Sequence, residues 1–201
     1  MVRVIESVSA ARRLSEAHAF LDRLSPSTEI LVVGASRGAA DDFTRAVAAA
    51  KGASFGLYRF SLTQLAARIA ATSVSGAAIA RGTEAGSEAM AARAVFDLVS
   101  SERLEYFAPV ALMPGFPRAL ARTVHELRLA GVRPDRLLTE GTAEGDIGRL
   151  LERVESDLDA ASIADRAALF RLAADGCRAA GRWTGLPLGL LDIPLGSRAE
   201  R

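Results

Sequence analysis

The chain has a single cysteine, Cys177, so no intramolecular disulfide can form, and a reducing, cytoplasmic setting is expected. It has one lysine, Lys51; its other basic side chains are arginines. No apolar run approaches the length needed to cross a bilayer, and Met1-Val2-Arg3-Val4-Ile5-Glu6 lacks the core of a signal peptide. A soluble protein without a membrane partner is therefore expected. Charge of one sign is also missing. With 25 basic and 24 acidic residues the formal charge is +1, so no global field would draw the chain onto nucleic acid or membrane. What is abundant is hydrophobic residues, 50% of the chain and led by alanine. That composition favours helices and argues against disorder, and 201 residues can bury one good core, or a sheet domain with a helical insertion.

The first third alternates between two periods. Val2–Ile5 is a short β-rich run, and Ser9 is placed to cap a helix over Ala10–Leu24, where Leu14, Ala17, Leu21 and Leu24 recur at helical spacing. Ser25-Pro26-Ser27 stops it. Ile30–Val33 is a continuous apolar run, the mark of a strand buried on both faces. The turn Gly34–Gly38 and a helix over Ala39–Ala50, closed by Lys51-Gly52, should follow, then a strand over Phe55–Phe60 and a helix capped by Ser61. This order predicts a parallel sheet with right-handed crossovers. Beyond a Ser/Gly/Ala-rich boundary at Ser73–Gly86 no strand is expected until Leu188–Leu191; helices are predicted over 84–100, 115–130, 144–158 and 161–181.

Chemical motifs are weak. A P-loop needs glycines that let backbone N–H groups approach phosphate, a lysine for the β/γ charge and a hydroxyl for Mg²⁺. After Val2–Ile5, Ala11 and Arg12 stand where Gly and Lys belong; after Ile30–Val33, Ala39, Ala40 and Asp41 replace Gly-Lys-Thr, and Asp41-Asp42 would repel a triphosphate. Asp192 ends an apolar strand where an α/β protein places a magnesium-linked carboxylate, but Ile193 follows it instead of a water-orienting glutamate. His18 and His125 read as surface or helix-packing histidines, Gly185 and Gly189 form no Gly-x-Ser-x-Gly elbow with the serines, and the carboxylates of a nuclease centre do not precede Lys51. Cys177 reads as a buried helix residue. Arginine pairs at helical spacing, Arg118/Arg122, Arg149/Arg153 and Arg178/Arg182, suit a phosphate backbone, although interleaved Glu126, Glu152 and Glu155 favour a solvated mixed-charge face.

In their linear order these pieces resemble the first motor domain of UvrD/Rep-like helicases, and most closely the inactivated helicase portion of AddB-type subunits and RecB-family nucleases. Val2–Ile5 with the helix from Ala10 resembles the P-loop strand and helix. Ile30–Phe43 resembles the next motif, Arg59–Ala66 is similar to the strand end that touches single-stranded DNA, and Leu190-Leu191-Asp192-Ile193 resembles the Asp-Glu strand. Tyr106–Val110, Pro114-Gly115-Phe116 and His125–Val132 look like AddB-type text within the helical stretch. The departures are Ala11, Arg12, Ile193 and Arg59, which replaces a threonine.

The resemblance implies an α/β fold of P-loop NTPase type, a parallel sheet with a large all-helical inserted subdomain. Residues 1–75 and 183–201 would form the sheet domain and 76–182 the insertion. It implies a non-catalytic pseudo-helicase domain in DNA repair or recombination, without a cofactor, acting as a scaffold or strand guide. Ser9, Ala11, Arg12 and Asp192 would mark the degenerate nucleotide site, and Arg37, Arg59, Ser61, Arg118 and Arg122 the DNA contacts. DNA and a helicase–nuclease subunit are the expected partners, and the chain is expected to be the N-terminal piece of a longer polypeptide. Two alternatives stand beside this: a small α/β enzyme acting on an anion at Gly34–Gly38 and Asp192, and an interaction module using the helical insertion.

Overall fold

The computed structural model describes residues 2–51, 55–73, 80–139, 141–179 and 181–201. The chain divides into two compact units, Met1–Ser73 with Ala173–Pro194, and Val74–Leu172 with Leu195–Arg201. The expected boundary between residues 75 and 76 lies outside the described residues, as does Gly52.

The first unit is α/β. Helix α1 (Ala10–Asp22) starts as expected, with the Ser9 hydroxyl accepting from the Arg12 amide. Strand β1 (Ile30–Gly34) is buried at every residue. It is central because Ile-Leu-Val-Val can cover both faces of a sheet. Helix α2 (Arg37–Lys51) begins two residues earlier than the sequence suggests. The Ser36 hydroxyl accepts from the Ala39 amide at 3.1 Å, so the cap is Ser36 and Gly38 belongs to the first turn. Strand β2 (Leu57–Ser61) starts after Gly56, whose φ of +74° turns the chain, leaving Phe55 outside the strand. Helix α3 (Leu62–Ser73) follows at once.

Strands β1 and β2 run parallel, Ile30 beside Leu57 and Gly34 beside Ser61. The other neighbour of β1 is β5 (Leu188–Leu191), also parallel, giving the order β2-β1-β5. One core cluster gathers Leu21, Ile30, Val32, Ala40, Phe43 and Val47, so α1 and α2 pack with the sheet.

Val2–Ile5 is corrected. Among the described residues it pairs with no strand, and Val2 and Val4 are 90% and 81% exposed. Burying a valine contributes about 1.5–3 kcal/mol. These two gain almost none of it, and β propensity without a packed face does not make a strand. The Arg3–Glu16 ion pair, 2.8 Å, ties the segment to α1.

The second unit is mostly helical. Helices α4 (Glu84–Ser100), α5 (Phe116–Ala130) and α6 (Ala143–Ala160) supply a core of Ala91, Ala94, Val95, Leu98, Leu120, Val124, Leu150, Leu151 and Val154. Thr83 and Thr142 cap α4 and α6 by accepting from Gly86 and Gly145 amides, both at 3.0 Å. Gly131, at φ 73°, closes α5 in a left-handed cap.

The expectation of no strand in this stretch is corrected by a short parallel bridge, β3 (Ala80–Arg81) with β4 (Ile163–Ala164). The predicted helix 161–181 therefore starts later, as α7 (Arg166–Arg178), with the Asp165 carboxylate accepting from the Ala168 amide. Along α7, whose residues up to Leu172 belong to the second unit and those from Ala173 to the first, Ala167, Ala168, Phe170, Ala173 and Gly176 form the buried stripe. Cys177 lies one residue beyond that stripe and is exposed, not buried as expected.

Candidate functional site

In an open parallel sheet the loops that leave the carboxyl ends of the strands are the usual ligand site. Here those ends belong to the first unit and are Gly34, Ser61 and Leu191. At the first, a Cβ on Gly34 would lie 2.8 Å from the Ala40 nitrogen and 2.9 Å from the Ser36 oxygen. Only glycine permits so close a turn into α2. At the second, Ser61 and Gln64 form a reciprocal capping box: the Ser61 hydroxyl accepts from the Gln64 amide, and the Gln64 side chain accepts from the Ser61 amide at 3.0 Å. Ser61 therefore serves the start of α3.

Asp192 follows the third strand end with a left-handed φ of 50°, which aspartate tolerates better than most residues. Its carboxylate is already engaged. Arg13 from α1 donates through Nε to Oδ1 at 2.8 Å and through Nη2 to Oδ2 at 2.9 Å, while its Nη1 donates to the Ser7 carbonyl. A planar guanidinium matching both oxygens is a strong form of carboxylate pairing. The Arg13 hydrogen bond and charge hold the Asp192 carboxyl below the usual carboxylate range, against a smaller opposing effect of desolvation.

The other nucleotide-site positions do not converge on that carboxylate as a cradle. Ser9 is the cap of α1, and Ala11 and Arg12 are exposed on its first turn. Arg12 enters no ion pair among the described residues, and the guanidinium that matters is its neighbour Arg13.

A second cluster joins two predicted DNA contacts to one acid. Arg37 donates to Asp41 at 3.0 Å, and Arg59 lies 3.6 Å from the same carboxylate. Asp42 pairs with Arg45 at 2.8 Å. The Asp41-Asp42 charges are thus balanced locally. Arg118 and Arg122 lie on the exposed face of α5 in the second unit, and neither enters an ion pair among the described residues.

The other arginine pairs have structural partners. Arg149 is bound to Asp146 at 2.7 Å, and Arg153 to Asp97 at 2.6 Å and Asp157 at 3.1 Å. Arg178 pairs with Asp175. Arg182 stacks over Tyr58 and Trp183, with its charge 5.3 and 5.2 Å from the ring centroids, and pairs with Glu29 at 3.2 Å. Tyr58 in turn donates to Glu29, and that hydrogen bond, with burial, pushes its hydroxyl pKa up.

The sequence reading missed two buried carboxylate sites in the second unit. Asp146, wholly buried, accepts from the amides of Glu105 and Phe107 and from Arg149. Burial pushes its carboxyl up, but those donors outweigh it and hold it below the ordinary value. Arg128, also buried, binds Asp165 through Nε at 2.6 Å and is paired with Glu155. Their signal was an acid or an arginine on the apolar face of a helix, at 146 and 128.

Among the described residues no three His, Cys, Asp or Glu side chains converge as a metal-binding group, and no helix is long and apolar enough to cross a membrane. No protein-family model matches the chain, and no curated protein matches it.

Proposed function

We propose that this chain is a non-catalytic scaffold, a pseudo-helicase domain of the kind found in AddB-type and RecB-family DNA repair nucleases. In this reading the first unit is a degenerate P-loop-type domain and the second its large helical insertion. The observation that carries the loss of catalysis is the bidentate Arg13–Asp192 pair. A hydrolytic site needs its strand-end carboxylate to face a hydrated Mg²⁺, a lysine on the phosphates and a carboxylate to orient water. Here the carboxylate is neutralised by a guanidinium, Arg12 stands at the lysine position and Ile193 at the glutamate position.

The same pair argues against a small enzyme acting on an anion at Gly34–Gly38 and Asp192, because Arg13 already holds the Asp192 carboxylate. The scaffold would dock a partner subunit or guide a DNA strand, in a cytoplasmic setting and without a cofactor.

Calorimetric titration of the full chain with Mg-ATP tests this. No saturable heat is expected up to millimolar nucleotide. A dissociation constant near micromolar, about 8 kcal/mol of binding, would refute the reading.

A further inference from the structure

The residues between α4 and α5 fold into a rigid loop that shows apolar side chains to solvent. Its two anchors are core residues: Leu104 and Ala111 are 6% and 1% exposed. Between them the Asp146 carboxylate takes the Glu105 and Phe107 amides, at 3.1 and 2.8 Å. The Ala111 amide donates to the Phe107 carbonyl, Met113 to Val110, and Phe116 to Met113, at 2.9–3.0 Å. Rings of Tyr106, Phe107 and Phe116 contact in series, with centroids 5.1 and 5.5 Å apart. Yet Tyr106 is 59% exposed, Leu112 73%, Met113 58% and Val110 44%.

Burying a charged carboxylate is costly unless it is fully hydrogen-bonded. Here one is buried to fix a loop whose outer side chains contact water. A preorganised apolar projection loses little entropy when a partner covers it, so it suits recognition better than folding.

The loop runs directly into α5, whose exposed face carries Arg118 and Arg122, unpaired among the described residues. The next acid along that helix is Glu126, a turn beyond Arg122. We infer that Tyr106, Val110, Leu112 and Met113, with Arg118 and Arg122, form a docking surface for an acidic, apolar-bearing peptide segment of a partner protein.

The charge match selects acids on the partner, and the aliphatic side chains select a protein over nucleic acid. Single-stranded nucleic acid asks for stacking platforms. This surface offers one exposed ring, Tyr106, turned edge-on to Phe107, and its Glu105 is paired with Arg149 at 3.5 Å. The inference deepens the scaffold reading by naming the chemistry of its partner, and it rests on that reading.

A random-peptide library displayed on phage, selected against the full chain, tests it. Three variants are compared by binding of the enriched peptides: Leu112→Ser with Met113→Ser, Arg118→Glu with Arg122→Glu, and Arg12→Glu as a control on the other unit. Enriched peptides should combine acidic with large apolar residues. Both surface variants should weaken them about tenfold or more, with the control unchanged.

All altered side chains are exposed, and a glutamate at 118 lies in the first turn of α5, where negative charge suits the helix dipole, so thermal melts should stay near those of the parent. The inference is overturned by an absence of enriched peptides, by basic or neutral ones, or by binding that survives both surface variants. It is equally overturned if an oligothymidylate binds and is lost in those variants, since the surface then reads nucleic acid. ATP binding would sink the scaffold reading alone, and leave the peptide result to be judged by itself.

Discussion

At the scale of single residues, two positions are held by contacts that admit no substitute. Gly145, in the first turn of α6, lies so close to residue 139 that an added Cβ would sit 1.8 Å from the Thr139 carbonyl oxygen. That oxygen is backbone and cannot swing away, so Gly145→Ala forces the 137–139 segment off the helix. The expected loss is about 3 kcal/mol, at the upper end of what overpacking a core costs, measured by denaturant titration. A change below about 1 kcal/mol would mean the segment gives way freely. Arg13 acts instead through charge. In the parent chain the Asp192 carboxyl lies below its usual range because Arg13 donates to both oxygens. Replacing Arg13 by glutamine removes the cation, so the Asp192 value followed by NMR should rise toward about 3.9, the ordinary aspartate value. If it stays depressed, some other donor holds Asp192.

At the scale of elements, Asp146 ties α6 to the loop before α5, and its titration gives that tie a pH dependence. Its carboxyl is held below the usual carboxylate range in the folded chain, because the Phe107 and Glu105 amides and Arg149 outweigh the opposing effect of burial. A lowered folded value stabilises the fold at pH above the ordinary aspartate value of about 3.9, and the contribution is lost as pH falls through the folded value. Asp146→Asn removes it. At neutral pH the variant should lose about 3 kcal/mol, since an amide presents N–H groups to donors that need acceptors. As pH falls through the folded value of Asp146 the difference from the parent should close. Hydrogen exchange at the Glu105 and Phe107 amides follows the tie directly, and a variant with unchanged protection at pH 7 would refute the role. The helices and the central strand were legible in the sequence because each has a local signal: Ser9 before Ala10, the unbroken Ile30–Val33 run, Gly131 after Ala130. Val2–Ile5 shows the limit. Its β-branched residues predict a strand, but a strand needs a neighbour, and pairing is decided by distant chain. Arg13 at the candidate site was hidden for the same reason, being 179 residues from Asp192.

At the scale of the whole molecule, charge bounds any affinity for DNA. Basic and acidic residues number 25 and 24, and many arginines are tied to carboxylates within their own unit: Arg37 and Arg59 to Asp41, Arg149 to Asp146, Arg153 to Asp97. Each such pair takes a cation out of reach of a phosphate backbone. Of the predicted DNA contacts, Arg118 and Arg122 alone stay clear of ion pairs among the described residues. Single-stranded DNA affinity falls with salt at a slope of about −0.7 per phosphate neutralised. Phosphate contacts by Arg118 and Arg122 alone would give a slope of log K against log salt of about −1.4. Fluorescence anisotropy with a labelled oligothymidylate over a salt series measures it. A slope several times steeper would require further cations, Arg37 and Arg59 released from Asp41 or exposed arginines such as Arg12 and Arg23, and, where Arg37 and Arg59 are the ones engaged, the first unit would be the strand guide. In that case Arg59→Ala should flatten the slope while Arg122→Ala leaves it alone. A slope near −1.4 that Arg122→Ala abolishes would place the phosphate contacts on α5 and overturn its assignment to an acidic peptide.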